Sequence, residues 1–144
     1  IPLNKAWAEE HHRTDYPDDV VDRDNDQDIV YRGGNNTLNN FTPALKDLDP
    51  RKGNEEDIGL STFRTHEQAT QGKGGKSQKL DLNMIRKLGF IVIQSEDGHV
   101  SIRPRTDEEL KEWAETKGTG TVDYRSVMIK AARVGEKRTP EKKQ

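Results

Sequence analysis

The chain has no cysteine, which excludes disulfides, thiolate nucleophiles and cysteine-based zinc sites. Apolar residues make up only 29% of the 144 residues, which is room for one modest core and not for two full domains. No run of even ten apolar residues occurs, so no stretch reads as a membrane-spanning helix. Aromatics are scarce at 6%, which disfavours a stacking platform for single-stranded nucleic acid. Trp7 and Trp113 read as packing residues. The four histidines lack a metal-ligand spacing: His11 and His12 are adjacent and face apart on a helix. Neither a metal nor a cofactor is expected. Residues 1–10 carry no basic start followed by an apolar stretch, so no signal peptide is read there.

What is abundant is charge, at 35%, and it is polarised. Residues 1–60 hold 14 acidic and 7 basic side chains, whereas residues 61–144 hold 12 acidic and 17 basic ones. An acidic front and a basic working surface suit a phosphate-bearing partner.

The local signals divide the chain near Asp28. Residues 4–13 read as a short helix capped by Asn4, and residues 15–28 carry seven aspartates with Pro17, an exposed acidic segment. The expected organisation is an acidic, partly helical leader (1–28) and one domain (29–144). Ile29–Arg32 and Ile58–Phe63 read as strands, with residues 35–57 as a long loop and Gln71–Ser77 as a flexible basic loop. His66 is expected on the surface. Asp81 caps a helix to Leu88 that ends at Gly89, with Leu82, Ile85 and Leu88 buried.

The Glu96-Asp97-Gly98 segment reads as a hairpin turn with Asp-Gly as its two-residue loop. That register pairs Gln94 with Ser101 and Val92 with Arg103. It turns Ile91, Ile93, Val100 and Ile102 to the core, and His99, Ser101 and Arg103 outward. Thr106 and Glu109 form a capping box for a helix burying Leu110 and Trp113. Asp123 caps a last helix, Tyr124–Val134, with Val127, Met128, Ala131 and Val134 inward and Ile129 opposite. Lys137–Gln144 reads as a frayed tail. The fold class expected is α+β: a small antiparallel sheet with helices packed on one face.

The row His99, Ser101, Arg103 is the catalytic candidate. Histidine moves protons near neutral pH, arginine holds a phosphate or a developing anion, and the serine between them can donate to a phosphate oxygen. On RNA these groups suit metal-independent cleavage, in which a base activates the ribose 2′-hydroxyl and cations stabilise the phosphorane. Ordinary polar residues on a solvent-facing strand give the same pattern. Candidate phosphate or RNA contacts are Arg32 before two glycines, Lys73, Lys76 and Lys79, and Thr119 and Thr121 before a helix. Gly75-Lys76-Ser77 is no nucleotide-binding P-loop, because Thr70 stands where its first glycine is required.

The segments Ile29-Val-Tyr-Arg-Gly-Gly, Gly59-Leu-Ser-Thr-Phe, Gly98-His-Val-Ser-Ile-Arg-Pro and Leu110-Lys-Glu-Trp-Ala-Glu-Thr-Lys-Gly-Thr-Gly resemble C-terminal toxin domains of contact-dependent growth inhibition (polymorphic) toxins. The resemblance covers residue 29 to the end. It implies an antibacterial domain cut from a cell-surface exoprotein and delivered to the cytoplasm of a neighbouring bacterium; a chain starting at Ile1 with an acidic leader fits such a fragment. It further implies a transfer-RNA ribonuclease with His99 as its best-supported residue, a cognate immunity protein, and elongation factor Tu as a helper of some members. The alternatives are an ADP-ribosyltransferase toxin and a non-catalytic protein-binding module. The transferase pattern of arginine, serine-threonine and glutamate resembles Arg32 and Ser61-Thr62, but the sequence departs at the glutamate: Glu108 and Glu109 stand at a helix start.

Overall fold

Six antiparallel strands make one sheet. The computed structural model describes residues 28–48, 58–95 and 97–140; the expected helix at 4–13 and the acidic segment up to residue 27 lie outside them. The strands are β1 (Ile29–Gly33), β2 (Leu60–Phe63), β3 (Gly75–Asp81), β4 (Ile91–Gln94), β5 (His99–Arg103) and β6 (Arg133–Thr139), in the order β4-β5-β2-β1-β3-β6. The helices are α1 (His66–Ala69), α2 (Leu82–Lys87), α3 (Asp107–Glu115) and α4 (Tyr124–Ala131). The fold is α+β.

Alternation along the strands sorts the two faces. Val30, Leu60, Leu80, Val100 and Ile102 are fully buried on one face, under Leu82 and Ile85 of α2, Leu110 and Trp113 of α3, and Met128 and Ile129 of α4. Each of these three helices starts on its own cap. The Asp81 carboxylate accepts from the N–H groups of Asn83 and Met84 (3.0 and 3.3 Å), Thr106 from Glu109, and Asp123 from Arg125. The polar edges of the core are satisfied internally: Trp113 Nε1 donates to Ser126 Oγ at 2.8 Å, and Ser126 and Thr42 share a hydrogen bond of 2.6 Å.

The opposite face carries Tyr31, Phe63, Ser77 and His99, and the one-turn α1 lies against it. His66 is buried rather than on the surface. Its ring bonds Ser77 Oγ through Nδ1 (2.7 Å) and Thr139 Oγ1 through Nε2 (2.8 Å), which ties α1 to β3 and β6. Gly33 allows that close approach, because a Cβ there would stand 2.3 Å from the Ala69 carbonyl oxygen.

Further expectations are corrected. The basic loop at 71–77 ends earlier, since β3 begins at Gly75; six polar or glycine residues around the single apolar Leu80 hide this strand in the sequence. The final helix stops at Ala131 and the chain turns into β6, so Val134 is exposed and the presumed tail is an edge strand as far as Thr139. Ile129 is buried and Ala131 exposed, the reverse of the expected stripe. The described part of the long loop is ordered into two short 3-10 turns, Asn39–Phe41 and Leu45–Leu48, with Phe41 fully buried.

The hairpin register differs by one residue. The pairs are Val92 with Ile102 and Ile93 with Ser101, and Ser95 N donates to His99 O at 2.9 Å. The loop therefore holds three residues, with Gly98 at φ +92°, a turn that needs its positive φ at the last loop position. A one-residue slip reverses every side chain of β4, so Val92 joins the core while Ile91 and Ile93 stand on the face of Ser101.

Gly33→Ala is expected to lower stability by about 1–3 kcal/mol in urea unfolding, because backbone and not a flexible side chain occupies the space. Asp28 supplies a pH test. Partial burial pushes its carboxyl upward, but hydrogen bonds and charge from Arg64 and then Arg86 outweigh this and hold it below 3.8. A carboxylate held low contributes stability above its ordinary pKa and loses it as pH falls through the folded value. Thermal melts are expected to decline below about pH 4, and less steeply in Asp28→Asn.

Candidate functional site

β1 and β2 share a single register pair, Tyr31 with Phe63, and then part. The gap is filled by a side chain. Arg32 sits on the core face of β1, opposite Gln78 of β3, and its Nη1 donates to the Ser61 carbonyl at 2.8 Å, where a backbone N–H would otherwise continue the ladder. Its Nε donates to the Asn40 carbonyl at 2.8 Å. Asn40 in turn donates to Gly33 O (3.1 Å) and Asn35 O (2.8 Å), closing the loop after β1 onto the strand.

A cleft of about 690 Å³ opens at this split. Its wall includes Arg32, Gly33, Ser61, Phe63, Lys46, Lys76 and Lys117, and no aspartate or glutamate is among the described residues lining it. Lys117 reaches in from the turn after α3, with Nζ donating to Thr42 O at 2.9 Å. Four cationic side chains around one concavity, with no carboxylate among the described lining residues, favour an anion over a cation there.

His99 stands behind one wall. Its Nε2 is 3.0 Å from Ser61 Oγ, and its ring meets Phe63 edge-on at 5.2 Å between centroids. The register places His99 beside Phe63 on β2. The hairpin tip that carries it is pinned: the Asp97 carboxylate accepts from Ser95 Oγ and from His99 N, which together hold its pKa low, and Gln68 of α1 donates to Asp97 O at 2.6 Å.

The expected row on β5 does not form one surface. His99 and Arg103 stand at the two ends of the strand, about 13 Å apart, and Ser101 between them is fully buried, not solvent-facing. Of the candidate phosphate contacts, Arg32 and Lys76 line the cleft. Lys73 lies exposed in the loop leading to it, and Lys79 pairs across the sheet with Tyr31 and Gly135. Thr121 borders a separate groove of about 330 Å³, and Thr119 closes a local turn on Thr116 O at 2.7 Å. Glu109 takes its place in the first turn of α3 as the capping box requires, with Glu108 beside it.

Sequence reading missed Lys46 and Lys117, which are distant in sequence and lie in no motif, and the coupling of Ser61 to His99. Only the strand order makes β2 the neighbour of both β1 and β5. Among the described residues, no three histidine, aspartate or glutamate side chains stand together as a metal site. Comparison with known protein families, curated proteins and solved structures finds no match for this chain.

Inorganic pyrophosphate is the simplest probe of the cleft. It is expected to raise the melting temperature at low salt, by about 2.7 kcal/mol of added stability at a hundredfold excess over Kd. The shift should shrink at high salt and vanish in Arg32→Ala.

Proposed function

We propose that this cleft binds a nicotinamide dinucleotide and that the domain transfers the ADP-ribosyl group to an acceptor, as a toxin of the polymorphic class. The observation that carries the reading is the meeting of Arg32 with Ser61 at the split. The transferase pattern calls for an arginine and a serine-threonine pair at one site; here the Arg32 guanidinium meets the Ser61 backbone carbonyl at 2.8 Å, both residues line the cleft, and Thr62 is buried with its hydroxyl on Val100 O. A volume of about 690 Å³ lies in the range of sites for ligands of this size.

The chemistry follows from the lining. Arg32 and Lys117, each oriented by a carbonyl, hold the pyrophosphate. The bond between the ribose anomeric carbon and the nicotinamide nitrogen breaks, and nicotinamide leaves neutral with the bonding pair. The acceptor attacks the cation-like carbon and gives up its proton. The pattern's glutamate has no counterpart in the cleft lining among the described residues. His99 stands behind the cleft wall with its Nε2 on the Ser61 hydroxyl, so in this reading it takes a proton from a ribose or acceptor hydroxyl through Ser61.

A second reading is a metal-independent transfer-RNA ribonuclease, favoured by the cationic lining without carboxylates. It keeps His99 as base, with Arg32 in place of Arg103 as the phosphate holder. This reading carries the possible needs for elongation factor Tu and an immunity protein.

One reaction separates the two. The chain is incubated with the dinucleotide and a bacterial extract, free nicotinamide is quantified, and the RNA is run on a denaturing gel. Nicotinamide release that falls about 100-fold or more in Arg32→Ala and in His99→Ala is the expected result, with Arg103→Ala near wild type. Shortened transfer RNA without nicotinamide release transfers the assignment to the ribonuclease. Neither product sinks both readings, and an equal loss in Arg103→Ala returns the arginine's role to β5.

A further inference from the structure

We propose that the chain modifies itself: the Thr139 hydroxyl is an acceptor of the transferred ADP-ribosyl group, with His66 as the base that takes its proton. This rests on the transferase reading and goes beyond it. Three groups stand in line behind the cleft wall. Ser77 Oγ lies 2.7 Å from Nδ1 of His66, and Thr139 Oγ1 lies 2.8 Å from its Nε2. Ser77 and His66 are buried, whereas Thr139 is exposed at the end of the edge strand β6. A hydroxyl open to solvent, a base within hydrogen-bond reach and a third group orienting that base are the parts of an activated nucleophile. With the ring proton on Nδ1, donated to Ser77 Oγ, Nε2 is left to accept the proton of Thr139.

Other hydroxyls of the fold are used differently. Thr42, Thr62, Thr70 and Thr119 donate to backbone carbonyls, which leaves no proton for a base. Thr139 and Ser61 instead meet an imidazole nitrogen. Ser61 lines the cleft, and Thr139 stands at its edge. Thr139 is in register with Gly75 of β3, which lies between the lining residues Gly74 and Lys76. Adjacent strands are about 4.8 Å apart, so the Thr139 backbone is one strand spacing from that edge. Register partners share a face, and a Cβ placed on Gly75 would meet nothing within 4 Å, so a reacting group can approach Thr139 there.

The step balances. The bond from the anomeric carbon to the nicotinamide nitrogen breaks, and nicotinamide leaves neutral with the bonding pair. Thr139 Oγ1 forms the new bond to that carbon, its proton passes to His66 Nε2, and the imidazolium returns the proton to water. The product is an O-glycoside.

The test uses the full chain and dinucleotide labelled in the adenylate phosphate, without extract. Label on the chain, stable to neutral hydroxylamine as an O-glycoside is, and carried by the peptide that contains Thr139, is the expected result. Thr139→Val should remove the label and Thr139→Ser should keep it, with a thermal melt to show that the valine variant folds. His66→Ala should lower the label about 100-fold, and added imidazole should restore part of it, which a purely structural histidine would not show. Label unchanged in Thr139→Val, or found on another residue, overturns the inference and leaves the transferase standing. Nicotinamide release in extract with no label on the chain does the same. Absence of nicotinamide release under every condition overturns the transferase reading and this inference with it.

Discussion

The guanidinium of Arg32 holds together a sheet that its backbone does not close. β1 and β2 are neighbours for one register pair and then separate, and the Arg32 side chain spans the opening to the Ser61 carbonyl. Arginine stays charged, offers donors in a rigid fork, and here satisfies two carbonyls on different segments. The same side chain that bridges the strands also lines the cleft of about 690 Å³.

The rest of the site depends on that opening. Ser61 presents its carbonyl to Arg32 and its hydroxyl to His99, and so relays between β1 and β5. α1 braces the far side: Gly33 lets its last turn approach β1, His66 bonds β3 and β6, and Gln68 holds the hairpin tip that carries His99. The three core helices leave this region uncovered and bury their apolar stripes on the opposite face. The division explains why so few apolar residues suffice: one face supplies the core, and hydrogen bonds organise the other.

Legibility differed by element for physical reasons. The starts of α2, α3 and α4 were readable because a cap is a local transaction between a side chain and N–H groups two or three residues on. The β4–β5 hairpin was readable as a hairpin but not in register, because Asp-Gly fits both a two-residue loop and the end of a three-residue loop. β3 and β6 were invisible, since their polar residues are stabilised by neighbouring strands and not by an alternating apolar pattern. His99 was legible as a chemical residue. Its pairing with Ser61 was not, and neither was the burial of Ser101.

By itself the sequence determined what local interactions decide: the α+β class, the capped helices, β1 and β2, the lack of thiol chemistry, and the excess of basic charge in the second half. It also displayed Arg32 and Ser61-Thr62 as separate candidates. The tertiary structure alone decided that β2 lies between β1 and β5, that the sheet splits there, and that Arg32, Lys46, Lys76 and Lys117 surround one cleft while Arg103 stands away from His99. Strand order and side-chain convergence arise from contacts between residues tens of positions apart. No local preference encodes them, so they are set only when the whole core and both sheet faces are satisfied together.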